Sequence, residues 1–120
     1  MTSEILYVDD EADIREIAEM AIGLDPSLIV RTCGSGQEGF EQARQSPPDL
    51  MLLDVMMPGM DGFEVLDKVK EMPGHADTPV IMLTAKDQSH DVLKGYQSGA
   101  TSYLVKPFNI SDLIPAIEVA

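Results

Sequence analysis

Ile5-Leu6-Tyr7-Val8-Asp9-Asp10-Glu11 decides how this chain is read: four apolar residues run straight into three acids. An unbroken apolar run of this length, without polar alternation, suits a parallel strand covered on both faces. Four more runs, nearly continuous rather than alternating, follow at residues 28–33, 50–53, 80–83 and 103–105. Helix-period segments separate them. Ile14, Ile17, Ala18, Ala21 and Ile22 form one stripe, which should stop between Gly23 and Pro26. Ser35 followed by Glu38 has capping-box spacing and opens a second helix that buries Phe40 and Ala43. A third helix follows Pro58-Gly59 and buries Phe63, Leu66 and Val69. A fourth has only Val92, Leu93 and Tyr96 as its stripe before Gly99. The last follows Lys106-Pro107, with Asn109 or Ser111 as N-cap. Pro115 falls in its early turns and favours the later start or a kinked entry.

Five strands alternating with helices, with no repeat or linker, predict one domain over residues 1–120. The fold class is α/β: a (βα)5 doubly wound, five-stranded parallel sheet with right-handed crossovers, flavodoxin-like in its order 2-1-3-4-5. In such sheets ligands sit beyond the carboxyl ends of the strands, where the strand order reverses. The strand ends carry a coherent set. The first ends in Asp9-Asp10, the third in Asp54, the fourth in Thr84-Ala85 and the fifth in Lys106-Pro107. In the order 2-1-3-4-5 the first and third strands are neighbours, so Asp9, Asp10 and Asp54 converge.

Three carboxylates in a partly buried cleft do not all stay ionised without a cation. Either a proton is shared, or a hard divalent metal is bound; Mg²⁺, which prefers oxygen ligands, fits best. Taken singly, Asp54 is a cap or turn residue, Thr84 a cap and Lys106 a solvated lysine. Taken jointly they supply metal ligands, a carboxylate nucleophile, a hydroxyl and an ammonium. That inventory suits in-line phosphoryl transfer, where positioning and charge neutralisation do most of the catalysis.

The bulk composition narrows the classes. The net charge is −13, with eight basic residues scattered among 21 acids, so direct nucleic-acid binding is not expected, nor docking on an anionic membrane. Cys33 is the lone cysteine and lies in an apolar run, which predicts a buried structural thiol in a reducing compartment. Met1-Thr2-Ser3-Glu4 shows no signal-peptide pattern and no run is long enough to span a membrane. A cytoplasmic location is the expectation.

Four blocks resemble the receiver domains of two-component response regulators: Ile5-Leu6-Tyr7-Val8-Asp9-Asp10-Glu11, Asp54-Val55-Met56-Met57-Pro58-Gly59-Met60-Asp61-Gly62, Leu83-Thr84-Ala85 and Tyr103-Leu104-Val105-Lys106-Pro107-Phe108. The resemblance implies that Asp54 takes a phosphoryl group from a histidine kinase or histidine phosphotransfer protein. It implies Mg²⁺ ligation by Asp10, Asp54 and the backbone carbonyl of Met56, with Asp9 acting directly or through a water. Thr84 would hydrogen-bond the phosphoryl group, Lys106 would pair with it, and Tyr103 would move inward as Thr84 is drawn across. The Lys106–Pro107 bond resembles one that is cis in this family. The signal would pass to a downstream protein target or output domain, with at most slow self-phosphorylation and self-dephosphorylation.

Added charge at Asp54 pulls on the ends of the fourth and fifth strands, so a conformational change should centre on the thinly striped fourth helix and the fifth strand. Met56 and Lys86, two residues after Asp54 and Thr84, flank the path of an attacking water and should tune the lifetime of the phosphorylated form. Two rivals fare worse. An aspartate-nucleophile phosphohydrolase of the haloacid dehalogenase type needs an acid where Met56 stands. A flavodoxin-like nucleotide or flavin module needs a phosphate-cradling loop where Asp9-Asp10-Glu11 would repel phosphate. The final stretch presents Leu113, Ile114, Ile117 and Val119 and has no Lys or Arg from Asn109 to Ala120. It therefore lacks the ion pairs of the winged-helix subgroup's dimers, and a monomer or weak dimer is expected.

Overall fold

A computed structural model describes residues 2–75, 77–85, 99–106 and 108–119. Five strands, β1 (Ser3–Val8), β2 (Leu28–Cys33), β3 (Leu50–Asp54), β4 (Val80–Ala85) and β5 (Ser102–Lys106), form one parallel sheet. Their order is β2-β1-β3-β4-β5, as expected. The described helices are α1 (Ala12–Gly23), α2 (Gly36–Gln45), α3 (Gly62–Glu71) and α4 (Ile110–Val119). The helix expected around Val92, Leu93 and Tyr96 lies outside the described residues, as do Lys86 and Pro107. None of the described helices is long and apolar enough to cross a membrane.

The apolar runs lack alternation because both faces of the sheet are covered. Ile5, Tyr7, Leu50, Leu52, Ile81 and Leu83 pack with Ala18, Ala21 and Ile22 of α1 and Leu113 and Ile117 of α4. Leu6, Val8, Met51, Leu53, Val80 and Met82 pack on the opposite face with Ala43 of α2 and Phe63, Val65, Leu66 and Val69 of α3. Successive residues thus serve two different cores, and each fully buried aliphatic side chain contributes roughly 1.5–3 kcal/mol of burial.

Side-chain caps mark the starts of α2 and α3. Ser35 accepts from the Glu38 amide at 3.1 Å, while the Glu38 carboxylate reaches back to the Gly34 amide at 3.1 Å. Asp61 caps α3 by accepting from the Glu64 amide at 3.0 Å. One expectation needs correction, and one open boundary is decided. Ile17 is exposed, because the buried stripe of α1 narrows to Ala18, Ala21 and Ile22 over the sheet. α4 takes the earlier start, at Ile110, with the Asp112 carboxylate accepting from the Asn109 amide at 2.9 Å. Pro115 lies inside it, far enough in to remove an intrahelical bond.

Candidate phosphoacceptor site

The register decides which side chains meet. Val8 lies opposite Leu53, so the chain leaving β1 carries Asp9 beside Asp54. Asp54 lies opposite Leu83, Thr84 opposite Val105, and Ala85 opposite Lys106. All the chemistry-bearing strand ends therefore open on one edge of the sheet. β2, at the outside of the sheet, ends in Cys33, whose buried thiol is pushed up to about 12 by desolvation and is inert at neutral pH.

Asp9, Asp10, Glu11 and Asp54 each offer a carboxylate oxygen, and these atoms all lie within 4.8 Å of one another. Asp9 and Asp54 are buried, Asp10 and Glu11 exposed. The Lys106 ammonium donates to Asp9 Oδ2 at 2.9 Å, Glu11 Oε1 at 3.1 Å and Asp54 Oδ2 at 3.2 Å. Asp54 Oδ1 accepts from the Met56 amide at 3.2 Å, while the Met56 side chain points into open surface. Thr84 is buried at the end of β4. Tyr103 is half-buried on β5, packed against the α2–α3 side of the sheet.

Three contacts went unread in the sequence. Glu11 shares Lys106 with the two aspartates. Arg15 Nη1 donates to the Asp9 carbonyl at 2.8 Å and lies over Gly34, where a Cβ would come within 3.2 Å of it. The Tyr7 hydroxyl donates to Asp9 Oδ2 at 3.1 Å. A readable signal existed for Tyr7, since it sits two residues before Asp9 on the same face, in a run from Ile5 to Val8 that is otherwise aliphatic. Gly62 is a packing requirement of the site: a Cβ there would fall 2.3 Å from the Asp54 carbonyl, so α3 could not start this close to β3.

Burial, and then the charge of Asp9, pushes the Asp54 carboxyl up to about 7, although Lys106 draws it down. Desolvation weakens the charged form of Lys106, but its bonds to Asp9 and the charge of Asp54 outweigh that and hold its ammonium above the ordinary range. Tyr7 is raised far beyond the ordinary phenol range, first by burial and then by Asp9, so it serves as a neutral donor. One ammonium among four carboxylates leaves the cluster short of positive charge. Clustered oxygen donors with that deficit could hold a hard divalent cation, and Asp10 and Glu11 are the members open to solvent.

The profile of the response regulator receiver domain matches residues 5–118. The transcriptional regulatory protein SrrA of Staphylococcus aureus is 40% identical over 114 residues, which are 95% of this chain and 46% of SrrA. The chain thus spans about half the length of the curated relatives it matches. Among solved structures, the chemotaxis protein CheY4 of Vibrio cholerae superposes with a TM-score of 0.92 at 32% identity, covering 99% of this chain and 98% of that one. NtrX of Brucella abortus gives a TM-score of 0.90 at 29% identity, covering 100% of this chain and 27% of NtrX. With the sheet order, the acidic cluster and the profile in agreement, the chain belongs to the response regulator receiver domain family, the phosphoacceptor switches of two-component signalling.

Proposed function

We propose that residues 1–120 act as a single receiver unit that accepts a phosphoryl group on Asp54 from a histidine kinase or histidine phosphotransfer protein. The observation that carries this is the meeting of Asp54 with Asp9, Asp10 and Lys106 at one sheet edge. An Asp54 carboxylate oxygen attacks phosphorus in line, an O–P bond forms as the donor's N–P bond breaks, and the imidazole leaves. The incoming group brings negative charge into an acid-rich cleft, so catalysis is charge neutralisation and positioning. Lys106 is within reach of both Asp54 and Asp9 and supplies an ammonium to the phosphoryl oxygens. Thr84, one position beyond the Asp54–Leu83 pairing, offers its hydroxyl to the same group.

Asp10, Asp54 and the Met56 carbonyl would hold Mg²⁺, with Asp9 acting directly or through a water. When bound, the ion supplies the positive charge that lets Asp54 ionise and the phosphoryl oxygens approach. The switch runs through Thr84 toward Tyr103 on the neighbouring strand. A cleft beside Lys106, lined by Glu11, Ile14, Ile17 and Phe108, offers an apolar wall against which a phosphodonor can rest. Self-phosphorylation and self-dephosphorylation are slow at most, the setting is cytoplasmic, and the signal passes to an output domain or separate protein target rather than directly to nucleic acid. Labelling by acetyl phosphate in Mg²⁺ tests this: the parent should gain acid-labile phosphate and Asp54→Asn none. Equal labelling of the two would overturn the assignment.

A further inference from the structure

Tyr7 is fully buried in β1, among Ile5, Ile22, Leu52 and Leu113, yet its hydroxyl reaches into the acidic cluster. An aliphatic side chain could fill that part of the core. A buried hydroxyl adds a polar group that must find a partner, and here the partner is the equally buried Asp9. The Asp9 carboxylate accepts three bonds from the described residues. Oδ1 takes the Glu11 amide at 3.0 Å, and Oδ2 takes both the Tyr7 hydroxyl and the Lys106 ammonium.

These donors differ in how freely they can leave. The Glu11 amide is backbone, and the Tyr7 ring is enclosed by the core on every side. Lys106 is a flexible stem shared with Glu11 and Asp54. When Lys106 turns to an arriving phosphoryl group, Asp9 Oδ2 keeps only the tyrosine. We infer that Tyr7 is a positioning residue for the cation site: its hydroxyl fixes Asp9 Oδ2 from inside the core, so that Asp9 keeps one orientation toward the cation whether or not Lys106 is engaged elsewhere. This rests on the cation assignment made above. Partners that orient ligand groups from behind commonly set metal affinity by about 10–100-fold.

The test is direct titration with Mn²⁺, a hard oxygen-seeking ion whose free form is read by electron paramagnetic resonance. Parent, Tyr7→Phe, Asp9→Ala and the double variant are compared, with folding of each checked by circular dichroism. Phe fills the same space, so the fold should persist. Tyr7→Phe should weaken Mn²⁺ binding by about tenfold in the parent background and have no effect in the Asp9→Ala background. Two results would overturn the inference: Tyr7→Phe that melts lower without metal yet binds Mn²⁺ as the parent does, which is a purely structural hydroxyl, or a loss that persists without Asp9. A parent that binds no Mn²⁺ would instead remove the cation assignment itself, and this inference with it.

Discussion

Replacing Asp54 by Asn should change how stability depends on pH more than it changes stability at any one pH. In the metal-free protein Asp54 is held near 7, about three pH units above its ordinary 3.8, by burial and by Asp9. The folded state therefore binds a proton that the unfolded chain has already lost between these values. Unfolding free energy must fall as pH rises through that window. Each pH unit corresponds to about 1.4 kcal/mol, so the parent should lose about 3 kcal/mol between about pH 5 and pH 8. Asn is nearly isosteric and carries no proton to lose, so this part of the slope should vanish, leaving Asp9 and Glu11 as partners of Lys106. Urea unfolding in a chelator, followed by circular dichroism at several pH values, measures both curves. They should converge toward pH 5 and separate in favour of Asn toward pH 8. Parallel curves would refute the claim that unfavourable ionisation of Asp54 is built into the fold.

Other outcomes follow from the same cluster. Mg²⁺ at about a hundred times its Kd should stabilise the parent by about 2.7 kcal/mol, visible as a raised Tm, and Asp10→Ala should lose most of that gain; superimposed scans of the parent with and without Mg²⁺ would reject the site. Met56 is exposed and cannot orient a water, so Met56→Asn should shed phosphate faster without harming the fold; a hydrogen bond of about 1 kcal/mol in the transition state gives about a fivefold rise, read by loss of acid-labile phosphate. Sedimentation of the Mg²⁺–beryllofluoride form should give a monomer or weak dimer, and a tight dimer that dissociates as salt is raised would show that the α4 face has been misjudged.

The strand ends were legible because each apolar run stops abruptly at a polar residue and the strand order then brings those stops together. Asp9, Asp10, Asp54, Thr84 and Lys106 needed no more than that. The cap of α2 was legible too, Ser35 with Glu38 being a local signal, and Pro58-Gly59 marked the approach to α3, although its cap Asp61 was not read. Ile17 was misplaced because periodicity gives the width of an apolar stripe and not the width of the surface that covers it. Its position beside Ile14 and Phe108 is at the cleft and not over the sheet. The start of α4 was open because Pro115 argues locally for a late start, while Asn109 and Asp112 close the earlier turn. Tyr7 could have been read from its place two residues before Asp9 on the same face of β1, whereas the reach of Arg15 from the first turn of α1 back to the Asp9 carbonyl is set by packing.

The most direct measurement is chemical location of the phosphoryl group. After exposure to acetyl phosphate and Mg²⁺, borohydride reduces an aspartyl phosphate to homoserine, releasing phosphate and leaving a permanent mark on the chain. Peptide mass mapping should find homoserine at position 54, only in phosphorylated samples and only when divalent cation is present. Homoserine at position 9, 10 or 61, or a phosphorylated protein with an unmarked Asp54, would contradict the assignment of the phosphoacceptor.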